Sequence, residues 1–188
     1  MSIKKDFVKP IVVLLFICFF VSGALAIVNS FTRPKIDEAA EMKAVKERNE
    51  IISDSGGFDR LEIYGLPVTV IDVYAAKNGA GYIFTVLSKG FGRDNMKILC
   101  GIDMEGRVIR ASVLSDSETR SFSARVFIED FMGKFWRKNR SEIEGISVIS
   151  GATYTSGGFK NAIRDALAAF DVVSVSSIEI LPDEEELE

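Results

Sequence analysis

The chain has 188 residues, enough for one domain with appended segments, and its net charge of −4 gives no reason to expect a nucleic-acid partner. It contains no histidine, which excludes histidine-based acid/base chemistry, Ser-His-Asp triads and most zinc sites. Its two cysteines, Cys18 and Cys100, can supply neither a disulfide framework nor the ligands of an iron–sulfur cluster. A role in electron transfer would therefore need an organic cofactor.

The N-terminus contains an uncharged run from residue 10 to residue 28, about the length that a helix needs to cross a bilayer core. The three lysines before it favour a cytoplasmic segment at 1–9 and an extracytoplasmic remainder. The alternative is a cleaved signal peptide, because Ala24-Leu25-Ala26 has the A-x-A pattern of a cleavage site. The apolar run continues past this pattern, and we therefore expect a retained transmembrane helix at 10–28.

Residues 29–57 are expected to link this span to a domain. Apolar residues recur there at roughly helical spacing among Glu/Lys pairs, at Ala39, Met42, Val45 and Ile52. The glycines of Asp54-Ser55-Gly56-Gly57 end the pattern. We interpret the segment as an amphipathic helix that serves as a solvated stalk.

Residues 58–175 have the pattern of an α+β domain with an antiparallel sheet and flanking helices. Runs rich in β-branched and aromatic residues predict strands at 68–74, 82–87, 96–103 and 108–114, and the turn at 104–107 makes the last two a hairpin. Phe127, Phe131 and Phe135 lie at helical spacing in a predicted helix at 125–136, where we expect them to pack in the core. A second helix is predicted at 159–170, and residues 176–188 have the composition of an acidic tail.

The hydroxyl-rich stretch from Ser150 to Ser156 stands directly before this last helix. A helix start carries unpaired N–H groups and positive dipole character, which favour phosphate, and Lys160 lies early enough in the helix to reach one. The alternative is a Ser/Thr N-cap with no further role. The residues alone leave both interpretations open.

The stretch Ser150-Gly151-Ala152-Thr153-Tyr154-Thr155-Ser156 resembles the SGAT-x-T-S motif of the FMN-binding domain family. That family includes the G subunit of the Rnf ion-translocating electron-transport complex and the C subunit of the sodium-translocating NADH:quinone reductase. There, a flavin transferase joins FMN through its phosphate to the hydroxyl that ends SGAT, which corresponds to Thr153 here. Ser147 stands where the family often has an aspartate. The resemblance implies covalent FMN on Thr153, with further cofactor-binding residues at Ser150, Gly151, Ala152, Thr155 and Ser156.

Upstream features of the same family appear in matching order. They are a Tyr-containing strand, a glycine-rich break and a Gly-Ile-Asp-x-x-Gly hairpin, matched by Gly81-Tyr82, Gly90-Phe91-Gly92 and Gly101-Ile102-Asp103 with Gly106. A Glu-Thr-Pro-Gly loop then lies near the flavin ring in the family. Glu118 and Thr119 match its first half, and the resemblance implies that they lie against the ring. Arg120 and Ser121 replace Pro-Gly, which removes one fixed and one permissive φ angle.

The resemblance implies an electron-carrier subunit of a redox-driven ion pump rather than a catalyst acting alone. Its partners would be other membrane subunits, a flavin transferase for maturation and the lipid of a bacterial inner membrane, with the domain on the extracytoplasmic side. The single span and compact domain favour a G subunit of the Rnf type over a C subunit of the quinone-reductase type or a stand-alone flavoprotein. A function of another class is a membrane-anchored binding or structural domain without flavin, in which SGAT only caps a helix.

Overall fold

The computed structural model describes residues 3–118 and 124–179, and the chain divides into two compact units, Met1–Lys43 and Ala44–Glu188. The first helix, α1 (Ile3–Ile51), includes the predicted span and continues into the predicted linking helix without a break. Its apolar part has a mean hydropathy of 3.1 with none of its residues buried in the protein. It therefore has the length and composition of a membrane-spanning helix.

The second unit contains an antiparallel sheet whose five strands are neighbours in chain order. The strands are β1 (Phe58–Leu61), β2 (Val70–Ala76), β3 (Gly81–Ser88), β4 (Met96–Asp103) and β5 (Val108–Ser115). The α+β fold class and the four predicted strands are confirmed, with strand ends shifted by at most two residues. The strand β1 was not predicted, because its four residues are too few to show an alternating pattern. The strand β1 pairs with β2, and Arg60 of β1 forms a salt bridge of 2.6 Å with Asp72 of β2.

One face of the sheet is covered by the last helix, α4 (Thr153–Glu179). Phe159, Ile163 and Ala166 are fully buried on its inner side, and Phe84 and Ile98 are fully buried on the sheet. The predicted helix at 159–170 is confirmed, but α4 is longer at both ends and begins inside the hydroxyl-rich stretch. Because the core fixes the position of α4, it also fixes the position of that stretch.

A thiol lies in the same core. Cys100 on β4 has no exposed surface, and burial raises the pKa of its thiol well above the ordinary range. The side chain stays protonated and acts as a small apolar residue.

The other face of the sheet is covered by the end of α1. Ile51 and Ile52 pack in a second apolar cluster with Ile83 and Leu99, and Arg48 is buried with its guanidinium 4.1 Å from the ring centroid of Tyr74. The interpretation of the whole linking helix as a solvated stalk is therefore wrong for its last two turns. Of the four apolar residues in the predicted pattern, Ala39, Met42 and Val45 are exposed and Ile52 is buried. The docked stripe instead consists of Ala44, Arg48, Ile51 and Ile52.

The segment between β5 and α4 contains short elements. Residues 124–126 are helical, and they are followed by α2 (Glu129–Met132), a 3-10 turn (Gly133–Phe135) and α3 (Arg140–Glu144). The prediction of one helix at 125–136 is wrong, because the chain is extended at Ile128, with φ −118° and ψ 154°. Phe131 and Phe135 nevertheless reach the core, where the ring centroid of Phe135 lies 5.5 Å from that of Phe159. Helical spacing of apolar residues here reflects two short elements rather than one long one.

The helix α3 starts with a capping box. The Asn139 side chain accepts from the Glu142 N–H at 3.1 Å, and the Glu142 carboxylate accepts from the Asn139 N–H at 3.0 Å. This backbone hydrogen bond, with a further one from Lys138, lowers the pKa of Glu142.

Candidate functional site

The predicted site residues are brought together where four segments meet. These segments are the loop 89–95 after β3, residues 116–118 after β5, the turn 149–152 and the first turns of α4. The Ser88 hydroxyl donates to the Gly158 carbonyl at 2.7 Å, which joins the end of β3 to α4. The backbones are so close that a β-carbon on Gly158 would stand 2.3 Å from the Lys89 carbonyl oxygen. Glycine at 158 is therefore a requirement of this contact.

The four Ser and Thr hydroxyls of the motif differ in burial. Ser150 and Thr153 are exposed, whereas Thr155 and Ser156 have no exposed surface. Thr153 is the first residue of α4, and its Oγ1 has only a long contact, 3.5 Å, to the Ile149 carbonyl oxygen. The Thr153 hydroxyl is thus accessible and weakly engaged.

The buried hydroxyl of Ser156 fastens the turn before α4. Its Oγ accepts from the Ile149 N–H at 3.0 Å and donates to the Ala152 carbonyl at 2.8 Å. Ala152 is itself buried, and Gly151 has a left-handed φ of +78°. This arrangement presents Ser150, Gly151 and Thr153 at the surface while the buried Ala152 and Ser156 anchor the backbone.

Glu118 is the site residue that joins separate segments. One carboxylate oxygen accepts from the Gly92 N–H at 2.8 Å, and the other accepts from the Thr155 hydroxyl. Its neighbour Ser117 accepts from the Asp94 N–H at 2.8 Å. The loop after β5 is thereby attached both to the glycine-rich loop and to α4. Thr119, the other residue expected here, lies outside the described residues.

A groove of about 210 Å³ opens beside Thr153. It is lined by Phe91 from the glycine-rich loop and by the backbone and side chains of Gly151–Thr155. The rings of Phe91 and Tyr154 have centroids 6.4 Å apart and remain 57% and 75% exposed. Two exposed aromatic rings beside an accessible hydroxyl suit a planar ligand with a polar tail.

The basic residues near the site differ from the expectation. Lys160 does not point to the start of α4, because its Nζ donates to the Glu144 and Ile146 carbonyls at 2.8 and 2.9 Å. Arg125 takes that place instead: a β-carbon on Gly151 would stand 3.4 Å from its guanidinium. A cation beside the first N–H groups of a helix is an arrangement that favours a phosphoryl group.

Sequence reasoning missed Phe91, Tyr154 and Arg125 as site residues. Phe91 offered one sign, an aromatic side chain between two glycines in a loop, where a core role is not expected. Arg125 offered none, because its approach to Gly151 depends on the tertiary fold.

Residues 90–168 match the family model described as an FMN-binding domain. The matched range contains the glycine-rich loop, Glu118 and the whole of the hydroxyl-rich stretch. The match confirms that this part of the chain resembles the FMN-binding domain family.

Two curated relatives are similar over most of the chain. One is the G subunit of the proton-translocating ferredoxin:NAD(+) oxidoreductase complex of Clostridium ljungdahlii, 26% identical over 166 residues that cover 80% of this chain and 84% of the relative. The other is the G subunit of the ion-translocating oxidoreductase complex of Shewanella piezotolerans, 25% identical over 195 residues that cover 89% of this chain and 91% of the relative. Both alignments extend well beyond the FMN-binding domain.

The contact between α4 and the glycine-rich loop predicts opposite effects of alanine at two adjacent glycines. In Gly158→Ala the new β-carbon meets the Lys89 carbonyl, so we expect the free energy of unfolding to fall by about 1–3 kcal/mol. In Gly157→Ala the nearest atom is a Val148 methyl at 3.9 Å, and alanine should be neutral or stabilising by up to about 1 kcal/mol within a helix. Denaturant unfolding of the detergent-solubilised protein measures both. Equal losses in the two variants would contradict the close contact.

Proposed function

We propose that this chain is a membrane-anchored electron-carrier subunit of an ion-translocating oxidoreductase, with FMN joined through its phosphoryl group to the Thr153 hydroxyl. The observation that carries the proposal is the accessibility of this hydroxyl. Thr153 lies exposed at the start of α4 and lines the groove, whereas Thr155 and Ser156 are buried and hydrogen-bonded. Burial therefore favours Thr153 over two of its three neighbours as the acceptor of a flavin transferase.

The remaining neighbour is Ser150, which is exposed but does not line the groove. Its hydroxyl suits a hydrogen bond to a phosphoryl oxygen better than attachment. The first N–H groups of α4 and the Arg125 guanidinium would hold the same negative group. Phe91 and Tyr154 would flank the ring, and we propose that Glu118 and Thr119 lie against it.

FMN supplies the electron transfer when bound, and the chain supplies attachment, orientation and partial shielding. The described residues around Thr153 offer hydroxyls, aromatic rings, one carboxylate and one guanidinium. The carboxylate of Glu118 is engaged by two donors, which leaves it poorly suited to proton transfer. This composition supports a relay of electrons between neighbouring centres rather than independent catalysis.

The relatives support membership of a multi-subunit membrane complex, since each is the G subunit of an ion-translocating or proton-translocating oxidoreductase. A covalent cofactor suits such a subunit on the outer side of a membrane, where a dissociated flavin would be lost by dilution. We propose that other membrane subunits, a flavin transferase and lipid are its partners. The bacterial inner membrane is the proposed location, with the domain on the extracytoplasmic side.

The orientation can be measured with reporters fused to the C-terminus, after Glu188. Lysines before the apolar run favour a cytoplasmic N-terminus, so we expect a periplasm-active reporter such as alkaline phosphatase to be active there. A reporter that is active only in the cytoplasm should be silent at the same position. Activity of the cytoplasmic reporter would show that the proposed sidedness is wrong.

The attachment site can be tested by Thr153→Val, which keeps the β-branched shape and removes the hydroxyl. When the protein is co-expressed with a flavin transferase, the variant should lose all in-gel flavin fluorescence and the FMN mass. Its stability should fall by no more than about 1 kcal/mol, because the lost hydrogen bond is long and exposed.

The matched controls are Ser150→Ala, which removes the other exposed hydroxyl, and Ser156→Ala, which removes a buried one. Both should retain the adduct at normal membrane abundance. An FMN mass that persists in Thr153→Val and disappears in Ser150→Ala would move the attachment to Ser150.

A further inference from the structure

Glu118 forms hydrogen bonds to both of the segments that line the groove. Its carboxylate accepts from the Gly92 N–H in the loop that carries Phe91 and from the Thr155 hydroxyl in α4. We propose that Glu118 is a positioning residue, which clamps the Phe91 loop to the first turn of α4 and so fixes the aromatic wall beside Thr153. The proposal deepens the proposed function, in that the groove is taken to hold the flavin.

The loop fits closely around the carboxylate. A β-carbon on Gly90 would stand 2.1 Å from the Glu118 Oε1, so the backbone rests directly on this side chain. Two other side chains brace the loop: the Lys89 Nζ donates to the Gly92 and Arg93 carbonyls at 3.1 and 2.7 Å, and the Ser117 hydroxyl accepts from the Asp94 N–H at 2.8 Å. Glu118 differs from these braces because it also reaches α4.

The charge of Glu118 suits its position. No acidic residue lies in the first turn of α4, and Glu118 brings a carboxylate to that turn from another segment. Its donors in the described part of the chain, an amide N–H and a hydroxyl, are neutral. Residues two positions apart on a helix project roughly 200° apart, so Thr155 and Thr153 point to different sides of α4. The carboxylate can therefore occupy the inner side without displacing a phosphoryl group from the outer side.

The clamp depends on hydrogen bonds that a neutral isostere can reproduce. In Glu118→Gln the amide oxygen can accept from the Gly92 N–H, and the amide nitrogen can donate to the Thr155 hydroxyl oxygen. Glu118→Ala removes both contacts, and Thr155→Val removes one while keeping the shape of the side chain. The glutamine variant thus separates positioning from any need for the charge.

The first measurement is limited trypsin digestion of the full-length protein in detergent, with cut sites mapped by mass spectrometry. Lys89 and Arg93 flank Phe91, and Lys77 in the turn between β2 and β3 is the internal reference. In Glu118→Ala we expect cleavage at Lys89 and Arg93 to rise on the order of tenfold relative to Lys77, because the loss of both hydrogen bonds favours local opening. In Glu118→Gln the ratio of cleavage at Lys89 and Arg93 to cleavage at Lys77 should stay near the wild-type value. The double variant Glu118→Ala/Thr155→Val should be cleaved no faster than Glu118→Ala alone, because both changes remove the same contact.

The second measurement is the visible circular dichroism of the flavin, which reports how rigidly its surroundings are fixed. Glu118→Ala should lose most of this signal while keeping the FMN mass, and Glu118→Gln should restore it. Three results would each overturn the clamp. They are an unchanged digestion pattern in Glu118→Ala, an equal rise in cleavage at Lys77, and cleavage of Glu118→Gln at Lys89 and Arg93 as fast as that of Glu118→Ala. A wild-type protein without flavin beside an active transferase would refute the proposed function instead, and the digestion would still decide whether Glu118 positions the loop.

Discussion

The site depends on the close contact between the start of α4 and the end of β3. Phe159 and Ile163 bury α4 in the core, and the Gly158 backbone then meets the Lys89 carbonyl and the Ser88 hydroxyl. Cores are packed at near-crystalline density, so the helix has little freedom to slide along the sheet. The position of Thr153 is therefore set by apolar packing that begins a turn and a half further along α4.

The same helix geometry divides the hydroxyls of the motif between two tasks. Thr155 and Ser156 face inward, where an unsatisfied hydroxyl would be costly, and each has a hydrogen-bond partner. Thr153 faces outward and keeps its hydroxyl almost unused. A run of similar residues thus contains both the anchors of the turn and the group that it presents.

The sequence predicts what depends on local pattern. Strands such as 96–103 and the core of α4 follow from β-branched runs and helical spacing, whereas α4 begins at Thr153, six residues before the predicted start at 159. The contact between Glu118 and Thr155 joins residues 37 positions apart, and no local pattern encodes it. The prediction of one helix at 125–136 was wrong for a related reason. Phe131 and Phe135 pack in the core from two short elements, and the spacing of the phenylalanines along the sequence does not distinguish these from a single helix.

The docking of α1 also changes where the domain begins. Sequence patterning places the boundary after the glycines at 56 and 57, yet Ile51 and Ile52 are only 4% exposed and cover Ile83 and Leu99. Burying an isoleucine side chain contributes about 1.5–3 kcal/mol, a large fraction of the 5–15 kcal/mol that separates folded from unfolded domains. A chain cut at residue 57 would expose that face of the sheet to water. The last two turns of α1 are therefore part of the second unit, and the boundary that matters for folding lies near Ala44.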